Sequence, residues 1–476
     1  MEQCGMELEK QGNGAETGEE IKEARGADGG GRPDDLSISY YRTQLVNLWI
    51  SAESFFKWTF IGAVVGIICG LFGALFYHGL VFSDAFFQVH HRLIFLLPLA
   101  GVLVVGLYRI TGSTGQNLDT MVESVSQGKR LPLKLLPAVI GGTWISHFFG
   151  GSAGKEGAAF QIGDTLGNFI ARLLRLDAND AELCSRAGMA ALFAAIFGTP
   201  VTATFFITML TTSGSFFSIS MLPNLIAAIA AHLVASRLGV HTERYAVDIP
   251  LYGTSVLWRV AVLSALGAVL STVVCDVLHA TSHFMQRLLP NRWIRALVGG
   301  ALVAAVMLLD GTYGYAGGSS YMMDDAILLG TARPHDFILK LILTAVTLGA
   351  GLVGGEVMPV FFIGATFGAF AGPLLGLPGG FSAALGVIVV FGGATNSLFA
   401  PFALAGELFG GLGSGGIVYF AFASIVSYLL SGYASLYYSQ TIVFSKSRAS
   451  YIGVHANDAH SDRSLFAWRA RRKRRR

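Results

Sequence analysis

The chain has 476 residues, of which 53% are hydrophobic and 13% charged, with a formal net charge of +3. Soluble domains carry about 25% charged residues, so this composition excludes an ordinary water-soluble globular protein. It predicts a polytopic membrane protein.

Residues 1–40 are the first predicted element. From Met1 to Asp35 ten acidic residues stand against four basic ones among many glycines, which reads as a disordered acidic tail with no apolar signal-peptide core. Apolar stretches near the length of a membrane span then recur, at Phe60–Phe82, Leu93–Ile110, Leu222–Leu238, Val256–Leu278 and Trp293–Leu309. Between them lie shorter pieces interrupted by glycine, such as Phe193–Phe206 and Phe381–Val390. Unpaired backbone is tolerated at membrane depth only where protein or a cavity surrounds it, so broken helices around a central site are expected. Gly62, Gly66 and Gly70, four residues apart, predict close helix packing in lipid. The four cysteines, Cys4, Cys69, Cys184 and Cys275, show no C-x-x-C spacing, so no disulfide, metal site or cofactor is expected. Residues 447–476 end the chain as a basic tail with eight basic residues and no acid from Arg463 onward. By the positive-inside rule this tail is cytoplasmic, and its expected partner is anionic lipid rather than nucleic acid.

The body between the tails carries an internal repeat. "IGDTLGNF", Ile162–Phe169, and "IGATFGAF", Ile363–Phe370, share five of eight residues at an offset of 201, and the same offset sets Pro200 against Pro401 without a gap. Residues 41–236 and 237–446 are therefore read as two related halves. Glu156 precedes the first copy and Glu356 the second, one residue short of the offset. Helix N-termini attract anions through their dipoles and free N–H groups, and inverted repeats would converge two such ends near the bilayer midplane. A buried intramembrane carboxylate is a functional hypothesis by default, so these residues suggest an anion pathway with ionisable gates. The bland alternative for both glutamates is a helix cap or an ion pair. A rival reading takes "GGSAG", Gly150–Gly154, as the G-x-S-x-G of an intramembrane serine hydrolase with Ser152 as nucleophile and His147 as base. Such an elbow requires a strand, and the repeat would stay unexplained, so no enzyme activity is expected.

Three stretches resemble a known family. "GGSAGKEGAAFQIGDTLG" is similar to the G-[RK]-E-G motif of CLC anion channels and transporters, "GGEVMPVFFIGATFG" to their G-x-F-x-P region, and "GGATNSLFAPFALAGELFG" to a later pore-lining helix pair. The resemblance runs from about Trp58 to about Lys446 and leaves out the acidic tail. It implies an all-α polytopic membrane protein of two inverted repeats of broken and tilted helices, assembled as a homodimer in a bacterial plasma membrane with both termini cytoplasmic. "GQNLD", Gly115–Asp119, replaces the usual G-S-G-I-P, Ala158 replaces a proline, and Gly355–Pro359 reads G-E-V-M-P. These departures resemble the fluoride-exporting branch of bacterial CLC antiporters, although that branch usually has threonine at the place of Met358.

The resemblance implies Glu156 as the gating glutamate and Glu356 as a second group handling protons and anion. Gln116, Asn117, Lys155, Gly157, Val357 and Met358 would surround the anion. An Asn117 carboxamide offers two donors to a small, strongly hydrated fluoride, although capping a helix near Leu118 is the alternative. Tyr437 and Tyr438 are both candidates for the pore tyrosine, with the register open. Met209 and Leu210 stand where chloride antiporters carry an internal proton glutamate, which leaves a fluoride/proton antiporter or an uncoupled chloride or fluoride channel. The implied partners are inorganic anion, protons and lipid. Glu407 is expected to serve packing or the dimer interface rather than transport.

Overall fold

The computed structural model describes residues 33–115, 120–123, 131–213, 218–318, 320–410, 413, 415–446 and 451–455. The chain divides into two compact units, 1–57 and 58–476. Of the first, the described part is helical from Pro33. The second contains the repeated membrane body.

In chain order the first half comprises α1 (Pro33–Val89), a 3-10 turn (His91–Leu96), α2 (Leu97–Ile110), α3 (Leu135–Phe148) and α4 (Glu156–Leu173), then α5 (Ala178–Phe197), α6 (Pro200–Leu210) and α7 (Met221–Arg237). The second half comprises α8 (Thr254–Leu288), α9 (Arg292–Asp310), the short α10 (Ser320–Leu328), α11 (Asp336–Ala350), α12 (Val357–Leu374), α13 (Gly379–Thr395), α14 (Phe399–Phe409) and α15 (Gly416–Leu430). Leaving out α10, the second half repeats the first helix for helix. Five helical segments are long and apolar enough to cross a membrane, and the shorter apolar helices are α3, α6, α7, α13, α14 and α15. The all-helical expectation needs one addition. A small sheet pairs β1 (Thr212–Ser213) in parallel with β2 (Thr441–Phe444), which pairs antiparallel with β3 (Tyr451–His455).

Broken helices arise where the sequence cannot continue them. The stretch Phe193–Phe206 is cut where Gly198 takes a left-handed φ of 67° and Pro200, lacking an N–H, starts α6. Phe381–Val390, by contrast, runs unbroken inside α13, which ends at left-handed Asn396. These two C-caps lie 198 residues apart, not 201, because α13 has 17 residues where α5 has 20. Pro200 and Pro401 are consequently not equivalent: the first opens α6, and the second is the third residue of α14.

Hydrogen bonds across the junction of the halves show the twofold relation. Gly154 and Gly355 exchange both backbone bonds at 2.7 Å. The amide of Ser152 donates to Thr347 Oγ1 at 3.3 Å, and that of Val353 donates to Ser146 Oγ at 3.1 Å. When the halves are exchanged at the offset of 201 the glycine pair maps onto itself and the other two bonds map onto each other, so the segments run in opposite senses about an axis between the two glycines. Around this axis α4, α5, α12 and α13 are almost wholly buried. Glycines permit it: Gly163 and Gly167 pack on the backbone of Gly188 and Cys184, and Gly364 and Gly368 on that of Gly386 and Ser382. In the outer layer Gly62, Gly66 and Gly70 bring α1 against α7, as their spacing predicts.

Candidate functional site

α4 begins at Glu156, and α12 begins at Val357 with Glu356 as its N-cap. The reciprocal Gly154–Gly355 bridge therefore holds two helix N-termini together, each with unpaired backbone N–H groups. A methyl group on Gly154 or Gly355 would collide with Glu156 Oε2, and one on Gly157 would meet the Gly354 carbonyl. The Glu156 carboxylate thus rests against both strands of the bridge. It is fully buried, and among the described residues neither oxygen is in hydrogen-bond geometry with a partner; the amides of Glu156 itself and of Met358 face it.

The two glutamates are not twofold mates. The offset of 201 relates Glu156 to Val357 and Lys155 to Glu356, so the same N-cap position carries a cation in one half and a carboxylate in the other. Lys155 Nζ lies 5.6 Å from the Tyr77 ring centroid and 5.1 Å from that of Phe197. It lines a cavity of about 380 Å³ together with Met358, Phe361, Asp84, His147 and Glu243. Glu356 is half-buried and stands within electrostatic reach of the Cys275 thiol on α8, which Lys446 also reaches. Gln116 and Asn117 lie outside the described residues.

Two chemistry-bearing residues, Asp84 and Lys340, escaped the sequence reading. Asp84 on α1 accepts from or shares a proton with His147 Nδ1 at 2.9 Å, and His147 Nε2 is 3.5 Å from the Gly154 carbonyl. Lys340 on α11 is fully buried and donates to the carbonyls of Tyr315 at 2.9 Å and Gly317 at 2.7 Å, with Asp84 and Glu156 the carboxylates in electrostatic reach. Asp84 and Lys340 each interrupt an apolar run, "VFSDAFF" and "FILKLIL", which was the available signal. From the sequence, His147 reads as a satisfied interior or interfacial histidine, with the hydrolase base as the remote alternative. Among the described residues it makes no hydrogen bond to Ser152, whose Oγ instead lies 3.4 Å from Thr344 Oγ1. Helix α3 precedes Ser152 where the hydrolase elbow requires a strand, so that reading fails. Outside the membrane-spanning helices, the Tyr245 hydroxyl sits 2.7 Å from Glu243 and 2.6 Å from Asp324. Burial, with Glu243 and Asp325 nearby, pushes the Asp324 carboxyl above the usual range.

Beneath the junction lies an aromatic cluster. Phe160 stacks on Phe193 with centroids 5.6 Å apart, and their repeat mates Phe361 and Phe391 meet edge-on at 5.1 Å. Phe206 bridges the two pairs. Tyr437 is fully buried against Phe206 at 6.3 Å, whereas Tyr438 stacks on His279 of α8 at 3.7 Å. Of the doublet, Tyr437 joins this cluster and Tyr438 packs on α8. Buried Gln440 fixes this segment, donating to the carbonyls of Met209 and Thr395 and accepting from Ser435 and Asn396. Met209 and Leu210 are buried at the end of α6. Glu407 has a packing role: its carboxylate accepts from the amides of Val201 and Thr202 at 2.9 and 2.8 Å and from the Thr202 hydroxyl, capping α6 from α14.

Comparison with known proteins agrees with this geometry. The family model described as voltage gated chloride channel matches residues 100–432. A chloride/fluoride channel protein of Pseudomonas syringae pv. tomato is 33% identical over 411 residues, covering 82% of this chain and 87% of that protein. The crystal structure of a CLC-type fluoride/proton antiporter superposes with a TM-score of 0.78 at 32% identity, over 81% of this chain and 98% of that one. A slow cyanobacterial Cl⁻/H⁺ antiporter shares the fold, with a TM-score of 0.67 at 16% identity over 79% and 94% of the two chains.

Proposed function

The chain belongs to the voltage-gated chloride channel (CLC) family of integral membrane anion transporters, and from that premise we propose that it is a fluoride/proton antiporter gated by Glu156. The observation that carries this reading is the buried Glu156 carboxylate held at the meeting point of two helix N-termini. Those N-termini form a site for one negative charge. Ionised, the carboxylate occupies it; protonated, it leaves the site to an anion, so anion and proton movement exchange. Lys155, Gly157, Val357 and Met358 form the rim of the site, and Gln116 and Asn117 contribute amide donors to the anion. Glu356, on the opposite half and facing α8, supplies a second titratable group where Met209 and Leu210 cannot. Tyr437 is the pore tyrosine. The protein works as a homodimer in a bacterial plasma membrane with both tails cytoplasmic.

The test is ion flux from proteoliposomes with imposed fluoride and chloride gradients, recorded together with pH. Fluoride release far faster than chloride, accompanied by opposite proton movement, is expected. Equal chloride release would overturn the fluoride assignment, and fluoride flux without protons would make the protein a channel, the activity printed in the name of its Pseudomonas relative.

A further inference from the structure

We infer that His147, held by Asp84, carries protons between the cavity and Glu156. This rests on the antiporter reading above and assigns the route by which its gate is protonated from one side. Glu156 is fully buried and does not line the cavity, so a proton has to cross packed protein to reach it. Asp84 and His147 both line that cavity. The Asp84 side chain is 45% exposed and that of His147 only 2%, so the pair runs from water inward.

The ring is aimed at the gate. His147 Nδ1 faces the Asp84 carboxylate at 2.9 Å and Nε2 faces the Gly154 carbonyl at 3.5 Å. Gly154 is the residue packed against Glu156 Oε2, so imidazole, carbonyl and carboxylate follow one another from cavity to axis. Both ring nitrogens thus look at acceptors. A neutral imidazole has one N–H and satisfies one of them; the imidazolium satisfies both. His147 also lies in the last turn of α3, where the helix dipole favours a cation.

The charges around the ring come from four elements. Asp84 faces it from α1. Lys340 reaches in from α11, its ammonium on the Gly317 carbonyl, and Gly317 packs on both Asp84 and His147. Lys155 lines the cavity wall, and Glu156 lies beyond Gly154 at the start of α4. In the transfer the Nε2–H bond breaks and an O–H bond forms on the Glu156 carboxylate. The neutral imidazole keeps its Nδ1–H on Asp84; a flip of the ring then turns the bare Nε2 to the Asp84 carboxyl, which passes it a proton taken from cavity water, so both N–H bonds are restored. The reverse steps return the proton to the cavity.

The experiment measures fluoride-driven proton movement in proteoliposomes across about pH 5 to 8, for wild type, His147→Gln and Asp84→Asn. Glutamine keeps a donor in place without titrating, and the expected result is a loss of about tenfold or more in coupled flux with a flattened pH profile. Asp84→Asn removes the charge that stabilises the imidazolium, so its flux is expected to begin falling at lower pH than wild type. A monodisperse His147→Gln protein with the wild-type rate and profile would overturn the inference. Should that variant not fold, an unshifted Asp84→Asn profile would do the same. Wild-type fluoride flux without proton movement would instead sink the antiporter reading and this inference with it, and that result appears before any substitution is made.

Discussion

Glu156 sits where burial disfavours its charge and two helix N-termini favour it, and under the proposed mechanism the balance of these two decides whether the site holds carboxylate or anion. Glu156→Gln retains the shape of the protonated side chain and cannot ionise. Proton-coupled fluoride flux in liposomes is therefore expected to vanish, while the thermal midpoint in detergent is unchanged or raised because a desolvated charge has gone. Glu356 occupies the repeat position of Lys155, away from the cavity and towards Cys275. If protons leave through it, Glu356→Gln abolishes uphill proton movement and spares downhill fluoride flux. Loss of both fluxes together would make Glu356 part of the anion site instead. The one-residue mismatch between these two acids was legible in the sequence, but whether the fold keeps that register or slips to pair them was not. A single residue of slippage moves a side chain about 100° around a helix, and only the bridge at Gly154 and Gly355 fixes the register.

At the scale of elements, short helices require partners for their ends because lipid offers none. Glu407 supplies one by reaching from α14 to the first amides of α6. Glu407→Ala is expected to cost about 1–2 kcal/mol of stability, the worth of a helix cap, measurable as a lower thermal midpoint with anion selectivity unchanged. The glycine crossings of α4 on α5 and α12 on α13 were foreseen in kind from glycine content. Their partners were not, since small residues at regular spacing permit a close approach without naming the helix that makes it. The turn missing from α13 was likewise invisible: an ungapped alignment of two prolines concealed a shift of three residues.

For the whole molecule, the twofold junction makes one candidate site from two halves, so the proposed coupling would belong to neither half alone. An imposed fluoride gradient across sealed liposomes is expected to drive protons uphill in the opposite direction, recorded as a pH change that collapses with a proton ionophore. A gradient that moves fluoride and leaves pH untouched would assign the protein to the channels of its family.

The sequence by itself determined the solvent, the repeat and the motif glutamate, because hydropathy, self-similarity and a G-K-E-G signature are local properties of the chain. Tertiary structure alone decided which residues gather around His147 and Gly317. Asp84, His147 and Lys340 come from three helices separated by up to 256 positions, and nothing in their spacing brings them together. It also decided which tyrosine of the doublet joins the aromatic cluster. That choice depends on Gln440 tying its segment to the ends of α6 and α13, contacts between residues as far as 231 positions apart that no periodicity encodes.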